Sequence, residues 1–226
     1  MGGSILTFRT RRHRVAAGLG AARPAHWVLA LALVLVAGCG NSQAGAKPTR
    51  PTVVFIGDSI TDIATPSIHK LMDPHYRVDV LAVDGMRINQ RLPALRSAEA
   101  HHPDAVVENL GTNDALQGGA YYPWTKSWRE LISMTKDTPC VVLTTVNLAS
   151  DVYGHKPIAS QINAKIRALA ALNPAKYKVA DWNGFLVAHR RSNWRTYLRA
   201  ELIHPTPAGG MEIASLDRSA LTTCTN

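Results

Sequence analysis

The sequence predicts an α/β fold in which helices cover both faces of a five-stranded parallel sheet. Two observations lead to this prediction. From residue 52 onward, short apolar runs alternate with longer segments that can be helical, and such segments can serve as crossovers between parallel strands. The first run, residues 53–56, is apolar at four consecutive positions and ends in a glycine, which is typical of a strand buried on both faces of its sheet.

The predicted elements follow one another along residues 52–221. Strands are predicted at residues 52–56, 77–83, 105–110, 140–145 and 177–180. Helices are predicted at residues 60–72, 88–100, 123–135, 157–172 and 207–221. Apolar residues recur at helical spacing in the third and fourth of these helices. Pro66 lies inside the first helix, where a proline can break or restart it.

The length and composition limit the class of protein. A chain of 226 residues, 46% of them hydrophobic and 18% charged, is long enough for one globular domain with an appendage. The net charge of +9 is unevenly spread, since five arginines and no acidic residue lie in residues 1–38. The charge therefore does not indicate a nucleic-acid-binding protein, which needs a basic patch on its folded domain.

The N-terminal segment has the features of a bacterial export signal. Residues 27–37 form an apolar run that is too short to span a membrane comfortably and that matches the core of a signal peptide. The run ends in Val36-Ala37-Gly38-Cys39, which resembles the lipobox of bacterial lipoproteins. This resemblance implies cleavage before Cys39, lipid attachment to Cys39, and anchoring at the outer face of the membrane in the cell envelope. A plain secretory signal or a short uncleaved anchor is the alternative.

These features divide the chain into three parts. Residues 1–38 are predicted to be a lipoprotein-type signal peptide, residues 39–51 a polar and flexible tether, and residues 52–226 the folded domain. The sequence of the domain contains no internal repeat.

Residues with catalytic potential follow three of the predicted strands. Ser59, Gly85 and Asn113 come after the first, second and third strands. Ligands of open parallel sheets bind at the carboxyl ends of the strands, so these residues are expected at one edge. Glu201 and His204 lie in the loop before the last helix.

The five residues have complementary uses in acyl transfer. Ser59 could be a nucleophile with His204 as its general base, because an unperturbed imidazole titrates near neutrality. Glu201 could orient the imidazole and stabilise its charged form. The negative charge that develops on the substrate oxygen needs preorganised donors. The backbone N–H groups of Ser59 and Gly85 and the side-chain amide of Asn113 are the candidates for this oxyanion hole.

The motifs around these residues resemble those of the SGNH, or GDSL-type, hydrolases. Gly57-Asp58-Ser59 is similar to the first block of the family, Gly111-Thr112-Asn113-Asp114 to the third, and residues 204–209 to the last. Gly85 fits the oxyanion glycine of the second block, in looser surroundings. The resemblance spans residues 52–221 and implies a flavodoxin-like three-layer α/β/α sandwich with a serine nucleophile and no metal or organic cofactor.

One position departs from the family pattern, because Glu201 stands where the family has aspartate. Glutamate can also orient a histidine, but its additional methylene moves the carboxylate. Three interpretations are open: Glu201 completes a triad, a backbone carbonyl orients His204 in a dyad, or the site is impaired. Asp181 is a less suitable substitute, since it follows the fifth strand as a structural aspartate would.

The resemblance implies an esterase that hydrolyses carboxylic esters through an acyl-enzyme. Short acyl groups such as acetyl, carried by a carbohydrate or a cell-wall polymer, are the expected substrates. Lipid esters come next, because the expected anchor keeps the domain beside a membrane. We expect a monomer whose partners are the ester substrate and the membrane, with no nucleic acid. An O-acyltransferase with the same residues, or a non-catalytic envelope binding protein on this fold, is the alternative.

The cysteines outside the signal segment suggest a disulfide bond. Lipidation would consume Cys39 and leave Cys140 and Cys224, and an exported domain permits a disulfide. Cys140 begins the fourth strand at the end of the sheet opposite the site, and the last helix should reach that end near Cys224. A bridge between these two cysteines is therefore a hypothesis.

Two further features are weaker indicators. His101-His102 does not predict a metal site, since adjacent histidines rarely face one ion. The aromatic residues that follow the third strand could line a substrate pocket or pack against the sheet. We favour packing for Trp128 and leave both roles open for Tyr121, Tyr122 and Trp124.

Overall fold

The computed structural model describes residues 50–117, 123–149, 156–189 and 194–224, and its strands form one parallel sheet. The strands are β1 Thr52–Gly57, β2 Arg77–Ala82, β3 Ala105–Asn109, β4 Cys140–Thr144 and β5 Tyr177–Ala180. Their order across the sheet is β2-β1-β3-β4-β5. The five predicted strands are confirmed to within one residue at each end, because each is a largely apolar run bounded by polar or turn-forming residues.

The α-helices of the described ranges are α1 Ser59–Met72, α2 Ile88–Glu99, α3 Thr112–Leu116, α4 Trp124–Met134, α5 Lys156–Leu172, α6 Trp182–Ala188 and α7 Pro207–Thr222. Five of them match the predicted helices. The sequence does not predict α3 and α6, which have only five and seven residues and are too short to show a helical period. α1 continues through Pro66, which is exposed, so that water can bind the carbonyl group that loses its donor.

The helices cover both faces of the sheet, and successive residues of β1 point into different layers. Val53 and Phe55 pack with α1, α6 and α7, whereas Val54 and Ile56 pack with α2, α4 and α5. Helices α1 and α7 lie against each other on the first face, and α2 and α4 do so on the second. The predicted three-layer α/β/α sandwich is confirmed, and its strand order is that of flavodoxin-like folds.

The end of β1 lies at the point where the chain changes direction across the sheet. Gly57 pairs with Ala82 of β2 on one side and with Asn109 of β3 on the other. The chain leaves β1 for β2 and then crosses back to β3, so that the space beyond Gly57 is the topological switch point. A side chain at Gly57 would collide with Oγ1 of Thr61, which explains the glycine at this strand end.

A disulfide bond closes the opposite end of the sheet. Cys140 at the start of β4 is joined to Cys224, which follows α7, and their Cα atoms are 5.8 Å apart. The bond spans 84 positions of the chain. It ties the C-terminal end of α7 to the centre of the fold.

The described residues also bear on the aromatic residues, on a membrane span and on a metal site. Trp124 and Trp128 are 6% and 5% exposed and pack in the core, which confirms the packing role of Trp128. Within the described ranges, no helix is long and apolar enough to cross a membrane, and no three potential ligands converge on a metal site. Tyr121 and Tyr122 lie outside the described residues, as do residues 1–49 with Cys39.

Candidate active site

Ser59 lies at the turn where β1 ends and α1 begins. Asp58 is the N-cap of α1, and its Oδ1 atom accepts a hydrogen bond from the N–H of Ile60 at 2.9 Å. Because Ser59 is the first residue of the helix, its own N–H has no partner within the helix. The serine is 8% exposed and lies in the positive field of the helix N-terminus.

His204 approaches Ser59 from a distant part of the chain. Its Nε2 atom lies 3.0 Å from Oγ of Ser59, and its Nδ1 atom lies 2.8 Å from Oε1 of Glu201. A proton on Nδ1 satisfies both contacts, since the carboxylate then accepts from Nδ1 and Nε2 can accept from the serine hydroxyl. The structure therefore brings these three residues into the arrangement of a nucleophile, a base and an orienting acid.

The surroundings of Glu201 favour its charged form. Desolvation acts to raise the pKa of this carboxyl group, but hydrogen bonds from its own N–H and from the His204 ring outweigh it. The charge of a protonated His204 acts in the same direction, so that the pKa of Glu201 lies below its usual value. A carboxylate at this position can hold the imidazole and stabilise the imidazolium.

Backbone contacts close the loop that carries Glu201 and His204. Leu198 and Pro205 form an antiparallel bridge, and the N–H of Arg199 donates to the carbonyl of His204 at 2.9 Å. These contacts fold residues 198–205 into a tight turn. Glu201 and His204 are thereby held close to each other.

A contact from β4 anchors the same turn to the sheet. Leu202 has φ of +65°, a left-handed conformation that costs a residue with a side chain roughly 1–2 kcal/mol. Its carbonyl accepts a hydrogen bond from Nδ2 of Asn147 at 2.7 Å, and Asn147 follows β4. The position of His204 is therefore coupled to the edge of the sheet that carries the other site residues.

The candidate oxyanion donors come from the two strands that flank β1. Gly85 lies in the loop after β2, and Asn113 lies in the first turn of α3, just after β3. Gly85 has φ of +71°, and no atom lies within 4 Å of the position that its Cβ would occupy. Asn113 is 8% exposed. Gly85 and Asn113 thus follow the two strands on either side of β1, the strand that leads to Ser59, at the switch point of the sheet.

The amide of Asn113 is held at both of its ends. Its Nδ2 atom donates to Oδ2 of Asp58 at 3.0 Å, and Nε2 of Gln117 lies 3.5 Å from its Oδ1 atom. When Asp58 is ionised its oxygens can only accept, so that in this form the amide nitrogen of Asn113 faces it. Because an amide nitrogen has two hydrogens, the second hydrogen of Asn113 can bind a substrate oxygen.

Three acidic side chains are buried beneath this edge. Burial raises the pKa of Asp58 to about 7, although hydrogen bonds from Ile60 and Asn113 oppose the rise. Burial also raises the pKa of Glu108 and of Asp114, and the neighbouring carboxyl groups add to the rise for Glu108. Burial therefore makes each of the three groups harder to ionise than an exposed carboxyl group would be.

The sequence matches a known family over most of its length. The model of the GDSL-like lipase/acylhydrolase family matches residues 55–210, a range that includes all five candidate site residues. The chain belongs to this family. No curated protein sequence matches it significantly. The match to the family model confirms the GDSL-type assignment made from the motifs.

Three solved bacterial structures share the fold of this GDSL-family chain. The C-terminal catalytic domain of peptidoglycan O-acetyltransferase A from Streptococcus pneumoniae is 18% identical, with a TM-score of 0.64, over 78% of this chain and 96% of that domain. A lipolytic G-D-S-L family protein from Veillonella parvula is 19% identical, with a TM-score of 0.61, over 76% and 98%. An acetylxylan esterase from Geobacillus stearothermophilus is 18% identical, with a TM-score of 0.57, over 76% and 94%.

The supporting residues of this GDSL-type site could not be identified from the sequence. Asp58 is recognisable as a helix cap from its place before α1, but its contact with Asn113 is not. Asn147 and Gln117 carry no sequence signal at all. Each contacts an element that is distant along the chain, and no local pattern indicates such contacts.

Proposed function

We propose that this chain is a serine esterase that hydrolyses short-chain carboxylic esters. The observation that carries the proposal is the line of contacts from Glu201 through His204 to Ser59, at 2.8 and 3.0 Å. Membership of the GDSL-like lipase/acylhydrolase family supports it, as does the similarity in fold to an acetylxylan esterase.

In the proposed first step, Oγ of Ser59 attacks the acyl carbon while Nε2 of His204 accepts the hydroxyl proton. The charge on the former carbonyl oxygen is held by the N–H groups of Ser59 and Gly85 and by Nδ2 of Asn113. The bond between the acyl carbon and the alcohol oxygen then breaks. His204 returns its proton to the leaving alcohol, and the acyl group remains on Ser59.

In the second step, water attacks the acyl-enzyme. His204 takes a proton from the water as the new bond to the acyl carbon forms. The bond between the acyl carbon and Oγ of Ser59 then breaks, and His204 returns the proton to Oγ, which leaves the free acid and the serine hydroxyl. Glu201 holds the Nδ1 proton of His204 and stabilises the imidazolium in both steps. Asp181 is not available for this role, because it caps α6 and binds Arg167 at 2.8 Å.

The substrate that we propose is a small acyl group, such as acetyl, on a carbohydrate or a cell-envelope polymer. Two structures of similar fold support this choice: one is described as an acetylxylan esterase and the other as the catalytic domain of a peptidoglycan O-acetyltransferase. Lipid esters are the second class, because a lipid anchor would keep the enzyme beside a membrane.

We also propose that the enzyme is exported and anchored through Cys39, with residues 1–38 as a cleaved signal peptide and residues 39–51 as a tether. The apolar run before Cys39 is the main support. The bond between Cys140 and Cys224 also supports export, since disulfides persist in oxidising compartments. Mass spectrometry of the membrane-bound protein should find a lipid-modified N-terminal Cys39. An unmodified N-terminus that precedes Cys39 would contradict the proposal.

Acyl transfer is the second candidate reaction. The observation that favours it is the similarity in fold to the O-acetyltransferase domain. The acyl-enzyme would then be attacked by a sugar hydroxyl instead of water, with His204 again as the base. Product analysis in the presence of an added glycan separates the two reactions, because transfer yields the acylated glycan whereas hydrolysis yields the free acid.

The proposal is tested with a short-chain chromogenic ester such as a nitrophenyl acetate. We expect Ser59→Ala and His204→Ala to lower kcat by about 1,000-fold or more, because the nucleophile or its base is lost. Ser67→Ala, in the same helix as Ser59, is the matched control and should retain activity. A wild type that turns over no short-chain ester and does not react with a serine-directed phosphonate would refute the esterase proposal. A glycan-binding protein on this fold would then be favoured.

A further inference from the structure

The loop that carries Gly85 is joined to α3 by two hydrogen bonds. Nε2 of Gln117, at the end of α3, donates to the carbonyl of Gly85 at 2.9 Å. The N–H of Ile88, at the start of α2, donates to Oδ2 of Asp114 at 2.9 Å. The two contacts hold the loop at its middle and at its end. They attach it to the same short helix that carries Asn113.

The Gly85 segment has few other constraints. The ladder between β1 and β2 extends to the N–H of Val83, which donates to the carbonyl of Gly57 at 3.2 Å. Residues 83–85 are exposed beyond that point, and no atom lies within 4 Å of the space beside Gly85. Because glycine has no side chain to limit its backbone, contacts made by its own peptide groups have to hold this part of the loop, and the contact to the Gly85 carbonyl is one of them.

Gln117 also lies beside the second candidate donor. Its Nε2 atom is 3.5 Å from Oδ1 of Asn113, and Nδ2 of Asn113 donates to Asp58 at 3.0 Å. A chain of polar groups therefore runs from the buried Asp58 through Asn113 and Gln117 to the Gly85 carbonyl. An amide with two hydrogens on one nitrogen can serve both neighbours of Gln117.

We propose that Gln117 is a positioning residue of the oxyanion hole: by binding the carbonyl of Gly85 it holds the loop that presents the Gly85 N–H in place relative to Asn113. This inference rests on the proposed esterase function. Oxyanion donors act mainly in the transition state, where the negative charge has developed, and they must be in place before the charge appears. A Gly85 loop that has lost its contact with Gln117 would spend less time in the productive geometry. The loss should therefore appear in kcat more than in KM.

The test compares three variants of Gln117 with the wild type on a chromogenic acetate ester. Gln117→Met keeps the length of the side chain but has no donor, and Gln117→Glu places an acceptor against the Gly85 carbonyl. Both variants should lower kcat by about tenfold and change KM less than twofold. This loss is smaller than the roughly 100-fold fall in kcat that follows removal of an oxyanion donor itself. Gln117→Lys restores a donor at similar reach and should recover most of the lost kcat.

The control is Gln161→Met, at an exposed glutamine of α5, which should leave kcat unchanged. The concentration of reactive serine is measured by complete titration with a serine-directed phosphonate, and rates are divided by it. Unfolded molecules are then not counted as enzyme and do not lower the apparent kcat. An active wild type whose kcat is unchanged in Gln117→Met would overturn this inference alone, as would a loss that Gln117→Lys does not recover. A wild type inactive on every ester would overturn the esterase proposal and this inference together.

Discussion

Asp58 accepts a hydrogen bond from Nδ2 of Asn113 at 3.0 Å, although the two residues are 55 positions apart in the chain. The other carboxyl oxygen of Asp58 accepts from the N–H of Ile60 at 2.9 Å and caps α1. One buried side chain therefore positions the helix that begins with Ser59 and also orients a candidate oxyanion donor. The aspartate before the serine is thus more than a helix cap.

We expect Asp58→Asn to lower kcat by about 10- to 100-fold, with a smaller change in KM. Ile60 and Asn113 donate to different oxygens of Asp58, and an asparagine has an oxygen at only one of these two positions, so its amide nitrogen must face one of the donors. The displaced Asn113 would then stabilise the oxyanion less well. Steady-state kinetics on a short-chain ester measure the effect, with Asp79→Asn on the exposed edge strand β2 as the control. Wild-type kcat in Asp58→Asn would contradict this prediction.

Glu201→Gln distinguishes a triad from a dyad. Glutamine can accept from Nδ1 of His204 in place of the carboxylate, but it cannot stabilise the imidazolium by charge. We expect kcat to fall about 10- to 100-fold, with the thermal midpoint unchanged because Glu201 is exposed. The exposed pair of Arg96 and Glu130 provides the control variant Glu130→Gln. Full activity in Glu201→Gln would show that another group orients His204.

Asp217 should make stability depend on pH. Burial raises the pKa of this residue from 3.8 to about 7, and the hydrogen bond from Oγ1 of Thr144 at 3.0 Å offsets the rise only in part. Between these two pKa values the folded state binds a proton that the unfolded state has released. The stabilising effect of the protonated group is therefore fully present below about pH 4 and is lost as pH rises through 7.

The measurement is urea unfolding of the wild type and of Asp217→Asn at pH 4.5 and pH 8. The wild type should lose about 3 kcal/mol relative to the variant between these two pH values, since each pKa unit corresponds to about 1.4 kcal/mol and the lower pH already lies above the unfolded pKa. The contributions of Asp58 and Glu108 are shared by both proteins and cancel in the difference. Asp79→Asn should follow the wild type. A difference between wild type and Asp217→Asn that does not vary with pH would contradict the prediction.

Removal of the disulfide should destabilise the domain without changing its site. The bond closes a loop across 84 positions and lies at the end of the sheet opposite Ser59. We expect Cys140→Ala combined with Cys224→Ser to lower the free energy of unfolding by about 2–5 kcal/mol. The kcat of the folded variant should stay within about twofold of the wild type. Wild type kept in reductant should match the variant, and equal stability of oxidised and reduced wild type would contradict the prediction.

Much of the fold could be predicted because the necessary information is local. The apolar runs that form β1, β3 and β4 are buried on both faces, and their lengths and boundaries are visible in the sequence. The helices α3 and α6 could not be found in this way. Asp181 caps α6 through the N–H of Gly184, but a helix of seven residues has too few turns to show an apolar stripe.

The candidate site residues could be named from the sequence, but their geometry could not. Ser59, Gly85 and Asn113 follow consecutive parallel strands, and parallel strands end at the same edge of a sheet. The sequence left three interpretations of the role of Glu201 open, because the position of its carboxylate depends on the loop that carries it. The structure brings Oε1 of Glu201 to 2.8 Å from His204, through a turn that Asn147 anchors.

The α/β architecture and the residues at the carboxyl edge of the sheet could therefore be predicted from the order of residues alone. Both depend on which short segments are apolar enough to be buried, and that is a property of neighbouring residues. The way in which these residues face one another depends on the packing of the whole domain. The 3.0 Å approach of His204 to Ser59 and the contact of Gln117 with Gly85 join loops from separate elements. Their distances are set by the packing of the helices and strands between them.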